Sequence, residues 1–303
     1  MSQNNPALQR DAADIAQKIR NSSSLSLERS TIQLTPENRE KVIQCLSAIK
    51  LFSKRYGAIW GNDGESLKLE IGGLHLTVDN IEDCYIVNEL FGHGYYAITT
   101  PEDVHVIDIG ANLLFASLFF AKMESVMKVT AFEPLKPTLE KAYHHLAINP
   151  DLASKIELHP YGLNDTEKTI SVAYSRDIKA AARTDMEWEA LAHLQNRPGY
   201  ERQEALLKKA SSVLAEVIKN SPCKRFVLKV DCEGAETAIL RDLKEQGLLE
   251  KFSMILMEWH GDNQEALEKL LLSSQFQSIS ISPQAKPELG MIYAFNTRIP
   301  PSA

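Results

Sequence analysis

An apolar, β-branched run that stops at a glycine constrains this chain more than any other feature. Val106-Ile107-Asp108-Ile109 reads as a buried strand, Gly110 breaks it, and the apolar pattern resumes after Asn112 at helical spacing, which predicts a strand, a turn and a helix. A glycine in such a turn lets the backbone approach a ligand closely. A second short strand, residues 128–132, ends on Glu133-Pro134, a carboxylate able to accept hydrogen bonds from both hydroxyls of a ribose. Ligands of open α/β sheets sit at such carboxyl ends, so Gly110 and Glu133 read as neighbouring walls of one nucleoside site.

The alternation continues along the chain. Strands are expected at 104–109, 127–132, 155–160, 225–231 and 252–258, with helices at 112–123, 136–148, 235–246 and 263–273. Residues 276–281 and 291–296 read instead as a hairpin, joined through Pro287 and Gly290. The pattern predicts an α/β domain over 101–303, a mostly parallel sheet with helices on both faces. Residues 1–100 read as an N-terminal helical and hairpin extension. It holds a polar helix at 6–20, a serine-rich linker at 21–30, and a second helix capped by Thr35 with Pro36 as its first residue. A hairpin about Gly72-Gly73 follows, then a short helix from Asp79 or Asn80 to Phe91. On the second helix Val42, Ile43, Leu46, Ile49 and Phe52 form a stripe that packs on the main domain or on a second copy, as a homodimer. A charged insertion at about 177–220, carrying Arg183, Trp188, His193, Arg197, Tyr200 and Arg202, has a helical pattern and is too long for a plain connection. It is either a lid over the ligand crevice or a solvated helical hairpin on the sheet.

Composition excludes several classes. With 303 residues and 44% hydrophobic content, the chain can bury a large core. A net charge of -7 and no basic stripe argue against nucleic acid as a partner. Cys45, Cys84, Cys223 and Cys232 show neither CxxC nor Cys/His ligand spacing and read as thiols of a reducing compartment. No stretch approaches the ~18 apolar residues of a membrane span, and the start lacks a signal-peptide core. A cytoplasmic protein is expected.

The turn chemistry narrows the ligand. A dinucleotide fold places Gly-x-Gly-x-x-Gly under a pyrophosphate, which needs bare backbone and a helix N-terminus facing the charge. Here only Gly110 is present, with Ala111, Leu113 and Leu114 filling the rest, and Asp108 would repel a pyrophosphate. Asp108 suits a ligand carrying an ammonium and a sulfonium, which is S-adenosylmethionine. A second cluster, Asp231-Cys232-Glu233-Gly234-Ala235-Glu236, follows the strand Phe226-Val227-Leu228-Lys229-Val230. Three carboxylates that close repel and can raise a pKa, which an active site uses; helix capping by Asp231, with Glu233 complementing the dipole, is the plainer account. His260, in Met257-Glu258-Trp259-His260-Gly261, either has a catalytic or substrate role or is a strand-end histidine satisfied by backbone.

Asp108-Ile109-Gly110-Ala111-Asn112, Ala131-Phe132-Glu133-Pro134 and Leu228-Lys229-Val230-Asp231-Cys232-Glu233-Gly234-Ala235-Glu236 together resemble the FkbM family of S-adenosylmethionine-dependent methyltransferases, over residues 85–260. Glu89 and Tyr95 or Tyr96 look like the family's entry segment. The resemblance implies a class I methyltransferase fold, a Rossmann-like seven-stranded sheet with an antiparallel C-terminal hairpin. It also implies O-methylation of a hydroxyl on a small molecule: a sugar, glycan or secondary metabolite. Carried over, Asp108, Gly110 and Asn112 would line the methionine part of the cofactor, Glu133 would hold the ribose, and Asn164 or Asp165 would face the adenine amino group. Asp231 would lie nearest the transferring methyl. A hydroxyl acceptor benefits from a base within about 3 Å, for which Asp231, Glu233 and then His260 are the candidates. The spacing of Asp231 and Glu233 does not diagnose a divalent ion, so metal stays unassigned. One departure stands out, because Leu113-Leu114 occupies the place where the family usually continues Ile-Gly. A leucine there either narrows the cofactor pocket or faces the sheet. Two rivals follow, a catalytically silent methyltransferase-fold scaffold and a nicotinamide-dependent oxidoreductase.

Overall fold

The computed structural model of the chain describes residues 14–175, 197–283 and 289–298. The chain divides into two compact units, Met1–His93 and Gly94–Ala303.

In the first unit, residues 14–20 are helical and lead into a hairpin of β1 (Ser24–Leu27) and β2 (Ser30–Gln33). The serine-rich linker expected at 21–30 is therefore partly strand. Leu25 pairs with Ile32, and burial of Ile32 is the apolar gain that orders the serines around it. Helix α1 (Arg39–Tyr56) starts later than expected, because Thr35 and Asn38 close a turn first. The Thr35 N–H donates to Asn38 Oδ1 at 2.9 Å and the Asn38 N–H to Thr35 Oγ1 at 3.3 Å, which keeps Pro36 in that turn. Of the expected stripe, Phe52 stacks on Trp60 of β3 (Ile59–Asp63), so part of it is covered from within its own unit. β4 (Ser66–Ile71) and β5 (Leu74–Val78) form the expected hairpin, with Gly72 and Gly73 at φ 55° and 80° supplying the left-handed turn. Asn80 caps α2 (Ile81–Asn88) by accepting the Asp83 N–H at 3.0 Å, and a π-helical turn, Glu89–His93, ends the unit.

The second unit carries β6 (Val104–Ile109), β7 (Val126–Phe132), β8 (Ile156–His159), β9 (Gly162–Asn164), β10 (Lys168–Ser175), β11 (Tyr200–Lys209), β12 (Arg225–Val230), β13 (Phe252–His260), β14 (Phe276–Ile281) and β15 (Leu289–Asn296). Seven of them form one sheet in the order β14-β15-β13-β12-β6-β7-β8. β8, β7, β6, β12 and β13 run parallel, while β15 and β14 run antiparallel to their neighbours. This is the mostly parallel sheet with an antiparallel terminal hairpin that the resemblance implies. The helices are α3 (Phe115–Ala121), α4 (Lys136–Ile148), α5 (Pro150–Ala153), α6 (Ala210–Lys219), α7 (Glu236–Glu245) and α8 (Gln264–Ser273). Alternation along the strands sorts the sheet's two faces. Ile107, Ile109, Leu228 and Val230 join one core with Leu214, Ile239, Leu243 and Leu267 of α6, α7 and α8. Asp108 and Lys229, directly opposite each other in the β6–β12 register, fall on the other face.

The insertion departs from expectation. Residues 176–196, with Arg183, Trp188 and His193, lie outside the described residues. Beyond them Tyr200–Lys209 is a strand rather than a helix, pairing antiparallel with β10 and parallel with β9. Its charges at 201, 202 and 204 sit on an exposed ribbon, while Ala205 and Leu207 pack with Val172 and Tyr174. Only those two alternating positions mark the strand. Among the described residues, no helix is long and apolar enough to cross a membrane.

Candidate active site

The carboxyl ends of β6, β7, β12 and β13 carry the site. A solvent-open cleft lies there, lined by Gly110, Asn112, Glu133, Asp231 and Glu233 together with Leu135, Leu163, Tyr174 and Leu207.

Gly110 has φ 80°, and a Cβ built on it would come 1.8 Å from the Asp231 carbonyl oxygen. The acidic loop packed against this position requires a glycine there, and Gly110 also lines the cleft. The turn's backbone donors are spent inside the protein. Gly110 and Ala111 N–H both donate to the Phe132 carbonyl, at 3.1 and 3.0 Å, and Asn112 N–H donates to Glu133 Oε2 at 3.0 Å. A pyrophosphate needs such groups free.

Glu133 lines the cleft from the end of β7. Its other oxygen, Oε1, accepts the Leu135 N–H at 2.9 Å, so both oxygens are fixed in place. Burial pushes its pKa up to about 7, against the Leu135 and Asn112 N–H groups and the Lys229 ammonium. Asn112 sits at φ 48° on the cleft wall, and its Oδ1 is buried with no hydrogen-bond partner among the described residues.

Asp108 does not reach the cleft. It is fully buried on the opposite face of the sheet, where Ser117 Oγ donates to Oδ2 at 2.6 Å and Lys229 Nζ lies 3.0 Å from Oδ1. Asp108 is therefore not among the residues lining the cleft, because strand alternation and the register with Lys229 turn its side chain toward the β12 lysine. Asp231, on the cleft wall, is the carboxylate left to face a cation there. Asn164 and Asp165 are also displaced from the expected wall. Asn164 is buried and its Oδ1 accepts the Asp165 N–H at 2.7 Å, while Asp165 is exposed; Gly162 and Leu163 line the cleft instead.

Leu113 and Leu114 are both buried, and neither lines the cleft. Leu114 holds φ 65°, the left-handed region that favours glycine, which gives a physical reason for a glycine at this position of the motif. Asn112 and Glu233 (φ 54°) place two strained residues on the cleft wall, each at a cost of about 1–3 kcal/mol. Such strain concentrates at functional sites.

The acidic loop organises His260. Glu236, wholly buried at the start of α7, accepts from His260 Nδ1 at 3.0 Å and from the Gly234 N–H at 3.0 and 3.1 Å. Glu233 Oε2 lies 3.4 Å from His260 Nε2. Burial alone would lower the His260 pKa; Glu236, Glu233 and Asp231 reverse this and raise it to about 9. Burial likewise opposes ionisation of Glu236, but His260 outweighs it and holds the carboxyl below its ordinary value. These contacts favour the charged imidazolium, which suits His260 to holding negative charge more than to acting as a base.

Two residues escaped the sequence reading. Glu258 brings a carboxylate oxygen, with one ligand atom each of Asp231 and His260, into a group whose members lie within 4.8 Å of one another. Among the described residues that set could hold a divalent ion only with His260 neutral, a state that Glu236 and Glu233 oppose. Lys229 is the other, and its signal was a lone charge in the apolar strand Phe226-Val227-Leu228-Lys229-Val230.

The sequence profile of the Methyltransferase FkbM domain matches residues 108–279. Methyltransferase sdnD of Sordaria araneosa is 25% identical over 190 residues, which cover 57% of this chain and 73% of that protein. Methyltransferase 1 of Beauveria bassiana (strain ARSEF 2860) is 25% identical over 240 residues, 74% of this chain and 88% of that protein. The crystal structure of Methyltransferase FkbM from Methylobacillus flagellatus KT aligns over 84% of this chain and 60% of its own, with a TM-score of 0.44 and 12% identity.

Proposed function

This chain belongs to the FkbM methyltransferase domain family, and from that membership we propose that it is an S-adenosylmethionine-dependent O-methyltransferase acting on a hydroxyl of a sugar, glycan or secondary metabolite. The observation that carries the cofactor reading is Glu133, a cleft carboxylate whose two oxygens are each fixed by one backbone N–H. Each oxygen keeps a lone pair for a ribose hydroxyl. Asn112 Oδ1, buried and without a partner among the described residues, supplies an acceptor for an ammonium, and Asp231 supplies the facing negative charge.

When bound, S-adenosylmethionine supplies an electrophilic methyl on a sulfonium. The chain's part is to orient the acceptor and take its proton, and most of the rate in such displacements comes from holding the nucleophile in near-attack geometry. Asp231 and Glu233 are the carboxylates on the cleft wall available to accept that proton. His260, held cationic by Glu236, stabilises negative charge developing on the acceptor oxygen. The spent donors of the Gly110 turn speak against a nicotinamide oxidoreductase. Burial of Leu114 away from the cleft removes the motive for a silent scaffold.

Incubation with methyl-labelled S-adenosylmethionine and a panel of hydroxylated sugars and polyketide-like alcohols tests the reaction. Label recovered as a methyl ether supports it, and label recovered only on amines or carboxylates contradicts it. The Glu133 carboxyl adds a pH signature. Only its ionised form accepts two ribose hydroxyls, so affinity for S-adenosylhomocysteine is expected to fall about tenfold from pH 8 to pH 6, as the carboxyl protonates through about 7. Titration calorimetry of the wild type beside Glu133→Gln checks this, since the variant's weaker affinity should be flat across that range.

A further inference from the structure

Lys229 plays no part in the function proposed above, yet its position is specific. It is 2% exposed near the carboxyl end of β12, and its ammonium meets three separate segments. Nζ donates to the Gly110 carbonyl at 2.7 Å, lies 3.0 Å from Asp108 Oδ1 and lies 3.6 Å from Asp231 Oδ2. The Tyr96 ring centroid is 5.9 Å away. The ammonium thus hydrogen-bonds the glycine turn while the carboxylates of β6 and the acidic loop flank it as ion-pair partners. Burial opposes the charge, but Asp108 and Asp231 outweigh it and hold Lys229 protonated.

Neutralising Asp108 is not a sufficient reason for such a group. A buried ion pair can often be replaced by packed apolar side chains at no loss of stability, so its retention calls for a gain in specificity. The Gly110 carbonyl supplies that gain. It belongs to the turn whose next residue but one, Asn112, carries the orphaned cleft acceptor, and Asp231 lines the same cleft. We propose that Lys229 is a positioning residue that pins the Gly110 turn against Asp231, and so sets the geometry of the cleft's cation-binding end without lining the cleft. The proposal rests on the S-adenosylmethionine reading.

The test separates this role from charge balance. S-adenosylhomocysteine is titrated calorimetrically into the wild type, K229M, K229M/D108N and K229Q/D108N, each with a thermal melt. K229M should melt well below the wild type, because it strands Asp108. Both double variants remove the two charges together and should regain most of the melting temperature. They are nevertheless expected to bind S-adenosylhomocysteine at least fivefold more weakly than the wild type. Binding within fivefold in either cooperatively melting double variant would overturn the proposal. Loss of cooperative melting in both would overturn it too, since Lys229 would then serve folding alone. A wild type that fails to bind at millimolar ligand would instead overturn the cofactor reading, and this proposal with it.

Discussion

Gly110→Ala should cost at least about 4 kcal/mol of stability, a loss reserved for severe steric or backbone conflict. Two effects add at this position. The backbone sits at φ 80°, where an L side chain is strained, and the new methyl would lie 1.8 Å from the Asp231 carbonyl oxygen. The obstacle is backbone, so no side-chain rotation relieves it. Relief requires the turn to separate from the acidic loop, which would break the Asp231 N–H bond to the Ile109 carbonyl at 3.0 Å and draw Gly110 away from Lys229. Chemical denaturation of the variant checks the figure. A loss below about 1 kcal/mol, the centre of the range for ordinary point substitutions, would mean the loop is not packed as described.

His260→Ala is expected to cost about 3–5 kcal/mol, the penalty for stranding one partner of a buried ion pair. Glu236 is wholly buried and depends on the imidazolium for most of its compensation, with the Gly234 and Cys232 N–H groups supplying the rest. The same pair predicts a pH dependence with a defined sign. The folded-state pKa of about 9 lies above the ordinary 6.5, so the stabilisation is fully present below pH 6.5 and is lost as pH rises through 9. The difference corresponds to about 3 kcal/mol. Denaturation of wild type and His260→Ala at pH 6.5 and pH 9.5 should show the gap between them shrinking by most of that amount. A gap that stays constant would show that His260 is neutral in the folded protein.

The scaffold was legible because its strands are buried on both faces. Val104–Ile109 and Arg225–Val230 read as mostly apolar, β-branched runs broken by few polar residues, and the helices between them alternate with them in the expected order. The hairpin of β1 and β2 was not, since its serines carry no alternation and one buried isoleucine orders it. Nor was the sheet of β9, β10 and β11, because the pairing of Leu207 with Gly162 is a contact between distant positions that no local pattern records.

The site divides in the same way. Glu133, Asp231 and Glu233 stand at strand ends or in the loop that follows, where sequence position alone puts them on the cleft. Asp108 stands one residue earlier than a strand end, and there the side of the sheet it faces decides its role. That choice depends on Lys229 across the register, which is a property of two strands and not of one motif. Glu258 escaped for the same reason, since its approach to Asp231 and His260 arises from the neighbouring ends of β12 and β13.

Calorimetric titration of the wild type at pH 8 with S-adenosylhomocysteine and, separately, with NAD tests the central claim most directly. The account predicts saturable one-to-one binding of S-adenosylhomocysteine and no heat from NAD. It further predicts a loss of about tenfold or more in Glu133→Ala, as expected for a charge-assisted hydrogen bond contributing roughly 1.5–3 kcal/mol. No binding of S-adenosylhomocysteine at millimolar concentration, or tighter binding of NAD, would contradict it.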